Sequence, residues 1–284
     1  MPPRILIFVA LSGDGPRAAA GVACTLAPPG SARPLSLDPV HLSPEVRPAA
    51  DRLAELLDLR PVANEIALLG HITELLRERP NATIVIDAPR PGAVVRLVEA
   101  ADLARAHLDT GRPDASTSSL AAARAAERAE LPILQAAATA GDLIRAPELT
   151  TVGLLAGPAA QRADERTARA ALALVGIGTL EPVLPAASAK AAAALYDHVP
   201  GSPGAGHPAP VTTVTPSGAQ LRVALPSLPD DLRAVRSGQE LVLQAGGSSR
   251  RLHAPVSLGP LIPGAISAGE DGTVIAEFLP DSTG

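Results

Sequence analysis

Residues 4–18 read Arg4-Ile5-Leu6-Ile7-Phe8-Val9-Ala10-Leu11-Ser12-Gly13-Asp14-Gly15-Pro16-Arg17-Ala18. After Arg4 the run is apolar and rich in β-branched and aromatic side chains. A run this short, with no polar alternation, fits a strand covered on both faces, as in a parallel sheet. Ser12 to Gly15 end it in a tight loop, and the alanine-rich stretch 17–27 has helical character. Strand, glycine loop and helix together open an α/β unit.

The same rhythm continues downstream. Arg33 to Leu37 reads as a second strand, ended by Asp38-Pro39. Leu53, Leu56 and Leu57 fall at helical spacing in 49–59, as do Ile66, Leu69, Ile72 and Leu76 in 64–78. Thr83 to Ile86 is a short buried strand with Asp87 at its C-terminal end. The stretch 92–145 is mostly helical, loosened near Gly111-Arg112-Pro113. Leu149 to Leu155 predicts a further strand, and helices follow over 159–175 and 186–196. Residues 1–199 are therefore expected to be α/β, a mostly parallel sheet with helices on both faces. Residues 200–210 are rich in proline and glycine and read as a linker. In 211–284, Gln220 to Leu225, Glu240 to Gln244, Arg250 to Ala254 and Thr273 to Phe278 are short strands between turn signals. They predict a small all-β sandwich.

Composition excludes several function classes. The chain has 284 residues, 24 basic against 29 acidic, for a net charge of −5. Lys190 is its only lysine, and Phe8, Tyr196 and Phe278 are its only aromatics. With no basic surplus and little to stack bases on, nucleic acid is not an expected partner. Cys24 is the only cysteine, which excludes an intrachain disulfide and a Cys-rich zinc site. The histidines show no ligand spacing, and no metal site is expected. No run approaches the length needed to span a bilayer. Asp14, Pro16 and Arg17 interrupt any leader-like reading of the N-terminus, so a buried first strand and a cytoplasmic location are expected. Peripheral membrane association stays open.

Ligands of open α/β sheets bind beyond the C-terminal strand ends. Three loops there carry a pattern. The first is 10–18, quoted above. The second is Ser36-Leu37-Asp38-Pro39-Val40-His41. The third is Asp87-Ala88-Pro89-Arg90-Pro91-Gly92-Ala93-Val94-Val95-Arg96. Taken alone, Asp38 reads as an Asx-Pro turn and Asp87 as a strand-end carboxylate capping the next loop. Taken together, in this order and with the β module behind them, the loops resemble the ArsA family of P-loop ATPases. That family includes arsenite-pump ATPases and targeting factors for tail-anchored proteins. Its motifs are G-K-G-G-V-G-K-[ST]-T, S-x-D-P-A-H and D-x-A-P-T-G-x-T-L-R. The last segment resembles the α-crystallin-like (small heat-shock) module that ends some bacterial members.

The resemblance implies roles, and it shows what is missing. Gly13 and Gly15 are kept, and Arg17, at the Mg²⁺-binding hydroxyl, is the one cation left in the loop. Leu11 stands at the lysine that reaches across a dimer and Pro16 at the phosphate lysine. Asp38 aligns with the carboxylate that orients the attacking water, the one catalytic remnant. Asp87, Gly92 and Arg96 of the third loop are kept. Glu181-Pro182 precede Val183-Leu184-Pro185 where the family holds adenine with an asparagine. Gly13, Gly15, Arg17 and Asp87 are thus what remains of a nucleotide cradle, and no cofactor is expected.

Three readings follow. In the first, the chain is a non-catalytic partner of an intact sister ATPase, as a heterodimer, or forms a homodimer. In the second, it is a divergent anion-transporting or targeting ATPase that binds ATP and Mg²⁺. In the third, it is a protein-binding module with an α-crystallin-like domain. The resemblance implies that a protein client would engage the region 92–145, yet Met1 is the only methionine and ordinary helix packing is expected there. Cys24 alone does not support metalloid binding.

Overall fold

The computed structural model describes residues 3–11, 15–55, 59–109, 120–186, 189–198, 211–215, 218–224, 232–237, 240–245, 248–253, 261–269 and 273–280. The first strand, β1 (Arg4–Ala10), is buried along its whole length. It lies between two parallel neighbours, β3 (Thr83–Ala88) and β4 (Thr150–Ala156). With β2 (Ala32–Ser36) and the two-residue β5 (Leu184–Pro185), they form one parallel sheet of order β2-β3-β1-β4-β5. The helices are α1 (Gly15–Leu26), α2 (Arg47–Ala54), α3 (Ala63–Glu78), α4 (Pro91–Asp109), α5 (Leu120–Arg145), α6 (Arg162–Leu174) and α7 (Ala189–Asp197). The α/β expectation holds.

Period-two geometry divides β1 between two cores. Ile5, Ile7 and Val9 join α2 to α6 on one face of the sheet. Leu6 and Phe8 join α1 and α7 on the other. Strand β3 does the same, with Ile84, Ile86 and Ala88 on the first face and Val85 on the second. Helix α3 buries Ile66, Leu69 and Ile72, as its spacing predicts. The α1/α7 face is thin. Gly153 of β4 has no side chain because Leu195 of α7 presses onto the sheet there. Arg4 ties the start of β1 to the end of α7, its guanidinium donating to Tyr196 O (2.7 Å) and His198 O (2.6 Å).

Among the described residues, seven antiparallel strands follow. Strands β8 (Arg233–Ser237), β9 (Glu240–Ala245) and β10 (Ser248–His253) form one sheet. Strands β6 (Val211–Thr215), β7 (Gly218–Ala224), β11 (Leu261–Ala268) and β12 (Thr273–Pro280) form the other, in the order β11-β12-β7-β6. Leu221, Val223, Ala276 and Phe278 of the four-stranded sheet share a core with Leu243 of the three-stranded one. The expected linker, 200–210, lies outside the described residues. Strands β6, β8 and β11 were not expected from sequence. Pro263 and Gly264 hide β11, whose register shifts between Pro263 and Ile266; proline is tolerated there because β11 is an edge strand.

Two glycines test the helix packing. A methyl group on Gly141 of α5 would overlap Ala101 Cβ of α4, whereas Gly21 of α1 faces open space. Gly141→Ala is expected to cost about 1–3 kcal/mol by overpacking. Gly21→Ala is expected to stabilise by about 0.5–1 kcal/mol through helix propensity. Denaturant unfolding of the two variants should therefore give shifts of opposite sign.

Candidate functional site

The sheet order leaves a crevice at one place. From β1 the chain crosses over β3 to reach β2, and from β3 it crosses over β1 to reach β4. The two crossovers leave in opposite directions from neighbouring strands, which makes the C-terminal ends of β1 and β3 the switch point of the sheet. Leu11 after β1, the first turn of α1, the turn after β2 and the end of β3 lie at this end. The described residues of all three quoted loops belong to this end of the molecule.

In the first loop, Leu11 is half-buried, and its N–H donates to Leu155 O (2.9 Å). Gly13 lies outside the described residues. Gly15 opens α1, Pro16 is buried in the first turn, and Arg17 is exposed beside it. Proline fits this position because its fixed φ suits a helix start, but it leaves the turn one N–H short.

Asp38 caps the 3₁₀ turn Pro39–His41. Its carboxylate accepts from Val40 N–H (3.0 Å) and from His41 Nδ1 (3.0 Å). A carboxylate only accepts, so the Nδ1 of His41 carries the proton in this pair. This is the Asx-Pro geometry that the local sequence suggests. The turn leaves Val40 79% exposed, the most exposed of the large apolar side chains among the described residues.

Asp87 stands directly across from Ser36 in the β2–β3 pairing and from Phe8 in the β1–β3 pairing. Its carboxylate hydrogen-bonds the Ser36 side chain, whose Oγ also accepts from Asp38 N–H (3.2 Å). Ser36 therefore bridges the two acidic positions. Sequence reading did not assign it a role, although the parallel β2–β3 register would have placed it there. Asp87 bonds across to β2, where a carboxylate capping the following loop was the local expectation.

Electrostatics link the three loops. Val40 N–H and His41 hold the Asp38 carboxyl below the usual aspartate range, and Arg17 acts in the same direction. Burial pushes the Asp87 carboxyl up, against the pull of Ser36, Arg17 and His41. Arg17 and His41 thus act on both carboxylates. Beside Asp38 is a small pocket whose lining includes Ser36, Leu42, Asn64, Glu65 and Ala93. Glu65 pairs with Arg96, the last residue of the third loop. Asn64 and Glu65, at the start of α3, are a wall of the site that no motif announces.

Among the described residues no group of three or more His, Cys, Asp or Glu side chains is placed to hold a metal. No described helix is long and apolar enough to cross a membrane. Cys24 is partly buried against the α1/α7 core, and burial raises its thiol pKa. The chain matches no protein-family model, and no curated protein is similar to it.

The two aspartates predict opposite responses. Because the folded state raises the Asp87 pKa, it takes up a proton more readily than the unfolded chain does. The ionised form therefore costs stability as pH rises above the ordinary aspartate value. Asp87→Asn keeps the acceptor for Ser36 and should raise Tm at pH 7, with the gain fading towards ~pH 4. Asp38 contributes stability above its unfolded pKa and loses it as pH falls through the lower folded value. Asp38→Ala should therefore lower Tm at pH 7. Thermal unfolding at the two pH values checks both signs.

Proposed function

We propose that the chain is a non-catalytic subunit built on an ArsA-like P-loop ATPase fold. It has lost ATP hydrolysis and pairs with an intact sister ATPase or with a second copy of itself. The observation that carries this reading is the first turn of α1, where Pro16 is buried and Arg17 is exposed. A P-loop needs a lysine against the β- and γ-phosphates there, followed by a hydroxyl on Mg²⁺. Proline supplies neither a charge nor an N–H, and a guanidinium has no acceptor for a metal. Removing charge stabilisation alone typically costs about 10²–10³ in rate; here the cation and the metal ligand are lost together.

The rest of the crevice supports the same reading. A nucleotide triphosphate would meet the carboxylates of Asp38 and Asp87, with the exposed Arg17 acting on both. The Asp38 carboxylate that would orient water is already engaged by Val40 N–H and His41. The strand order, with β1 beside β3, is the arrangement such a crevice needs. The exposed Val40 on its rim suits a surface that meets another subunit. In this reading the antiparallel module is an α-crystallin-like protein-binding sandwich, the location is cytoplasmic, and no cofactor is retained.

The test is reconstitution with an intact ATPase of this type encoded beside this chain, one that carries G-K-G-G-V-G-K-T. Co-expression should give a complex of fixed stoichiometry whose ATP turnover depends on the sister's lysine and not on Asp38 of this chain. Turnover that falls when Asp38 is changed to Ala, with the complex intact, would contradict the proposal.

A further inference from the structure

The end of α6 joins the two halves of the chain. Gly176 follows it in the left-handed region (φ 80°). Its N–H donates to Ala173 O (2.9 Å), and Ile177 N–H donates to Leu172 O (3.0 Å). This paired closure satisfies two of the last carbonyls and leaves those of Leu174 and Val175. Arginines take both. Arg145, from the end of α5, donates through Nε to Val175 O (3.0 Å) and through Nη2 to Asp102 Oδ2 (2.6 Å). Arg250, from β10 of the antiparallel module, donates to Leu174 O. Burial works against the Arg250 charge, Asp102 and Glu99 favour it, and Arg145 opposes it.

The side chains of α6 divide in the same way. Ala168, Ala171 and Leu172 face the core of the parallel sheet. Ala170, Ala173 and Leu174 are each at most 1% exposed and belong to the core of the antiparallel module, with Leu221, Leu243 and Phe278. A helix on the surface of an α/β body needs one apolar stripe; α6 has two. The second is lined with alanines, which let β7, β9 and β10 approach closely.

We infer that the second apolar face of α6 is a docking surface for the chain's own antiparallel module, with Arg250 as its latch. The two modules then unfold as one cooperative unit, and the module is not a tethered domain that moves independently. The partner this surface fits is a β-sheet face that brings an arginine to a helix C-terminus. Arg250 is suited to the task because its fork reaches a carbonyl while its charge stays among acids, and it complements the negative end of the helix.

The experiment uses the full chain. Differential scanning calorimetry of the wild type should show one transition; two independent transitions would overturn the inference. Hydrogen exchange should then be compared in Arg250→Ala, Ala173→Asp and the exposed-site control Arg222→Ala. The first two should speed exchange in residues 168–175 about tenfold or more, as loss of a charged hydrogen bond predicts. Exchange in the control should stay at the wild-type rate, and β1, in the same cooperative unit, should speed up by no more than α6 does. If Arg250→Ala does not fold, Arg250→Lys keeps the charge and loses the fork, and should show the same local change. Exchange in α6 that matches the control in every folded variant would overturn the inference.

Discussion

The layers of the molecule depend on the burial of β1. Its flanks are saturated by parallel pairing to β3 and β4. Both faces must therefore be apolar, since a polar side chain there would need a partner that neither core offers. Ile5, Ile7 and Val9 hold one helical layer, and Leu6 and Phe8 hold the other. At about 1.5–3 kcal/mol for each large side chain taken out of water, these few residues are a substantial part of what fixes the sheet. Because β1 is central, its C-terminal end lies at the middle of the sheet, beside the end of β3. The crevice is a consequence of that placement.

Arginine has a structural use that its abundance alone would not suggest. Arg4 holds the carbonyls of Tyr196 and His198, and Arg145 and Arg250 hold those at the end of α6. Arg169, inside α6, reaches Thr179 Oγ1 (2.5 Å) and Leu180 O (3.2 Å) while paired with Glu165 (2.9 Å). Each is a planar group with several donors placed where backbone acceptors would otherwise be unpaired. A lysine, with one compact charge, does this less well. The chain uses arginine to close helix ends and to join elements remote in sequence, while Arg17 at the start of α1 is left exposed.

Much of this was legible in the sequence, for physical reasons that differ by element. Strand β1 and helix α3 could be read because burial on both faces, or on one stripe, leaves an unambiguous period. Asp38 could be placed because an Asx-Pro turn is local. Asp87 was placed at the end of its strand, but its bond to Ser36 depends on the β2–β3 register, which is not local. Glu65 and Asn64 carry no motif and reach the pocket only through the packing of α3. Strands β6 and β8 are short and bear threonines or arginines, β11 carries Pro263, and the pairing of all three is decided by neighbours. The second face of α6 could not be read because alanine does not distinguish a surface from a tight interface. Arg17 and His41 act on the carboxyls of both Asp38 and Asp87, a coupling that depends on how the loops come together.

A crevice with Pro16 and Arg17 in the first turn of α1 is proposed not to hydrolyse ATP. The direct measurement is steady-state ATP turnover of the purified chain with Mg²⁺, set against the chain with both Pro16 and Arg17 changed to alanine. The account predicts that the two rates are indistinguishable from each other and from buffer. Turnover by the unaltered chain well above that of the double variant would contradict it.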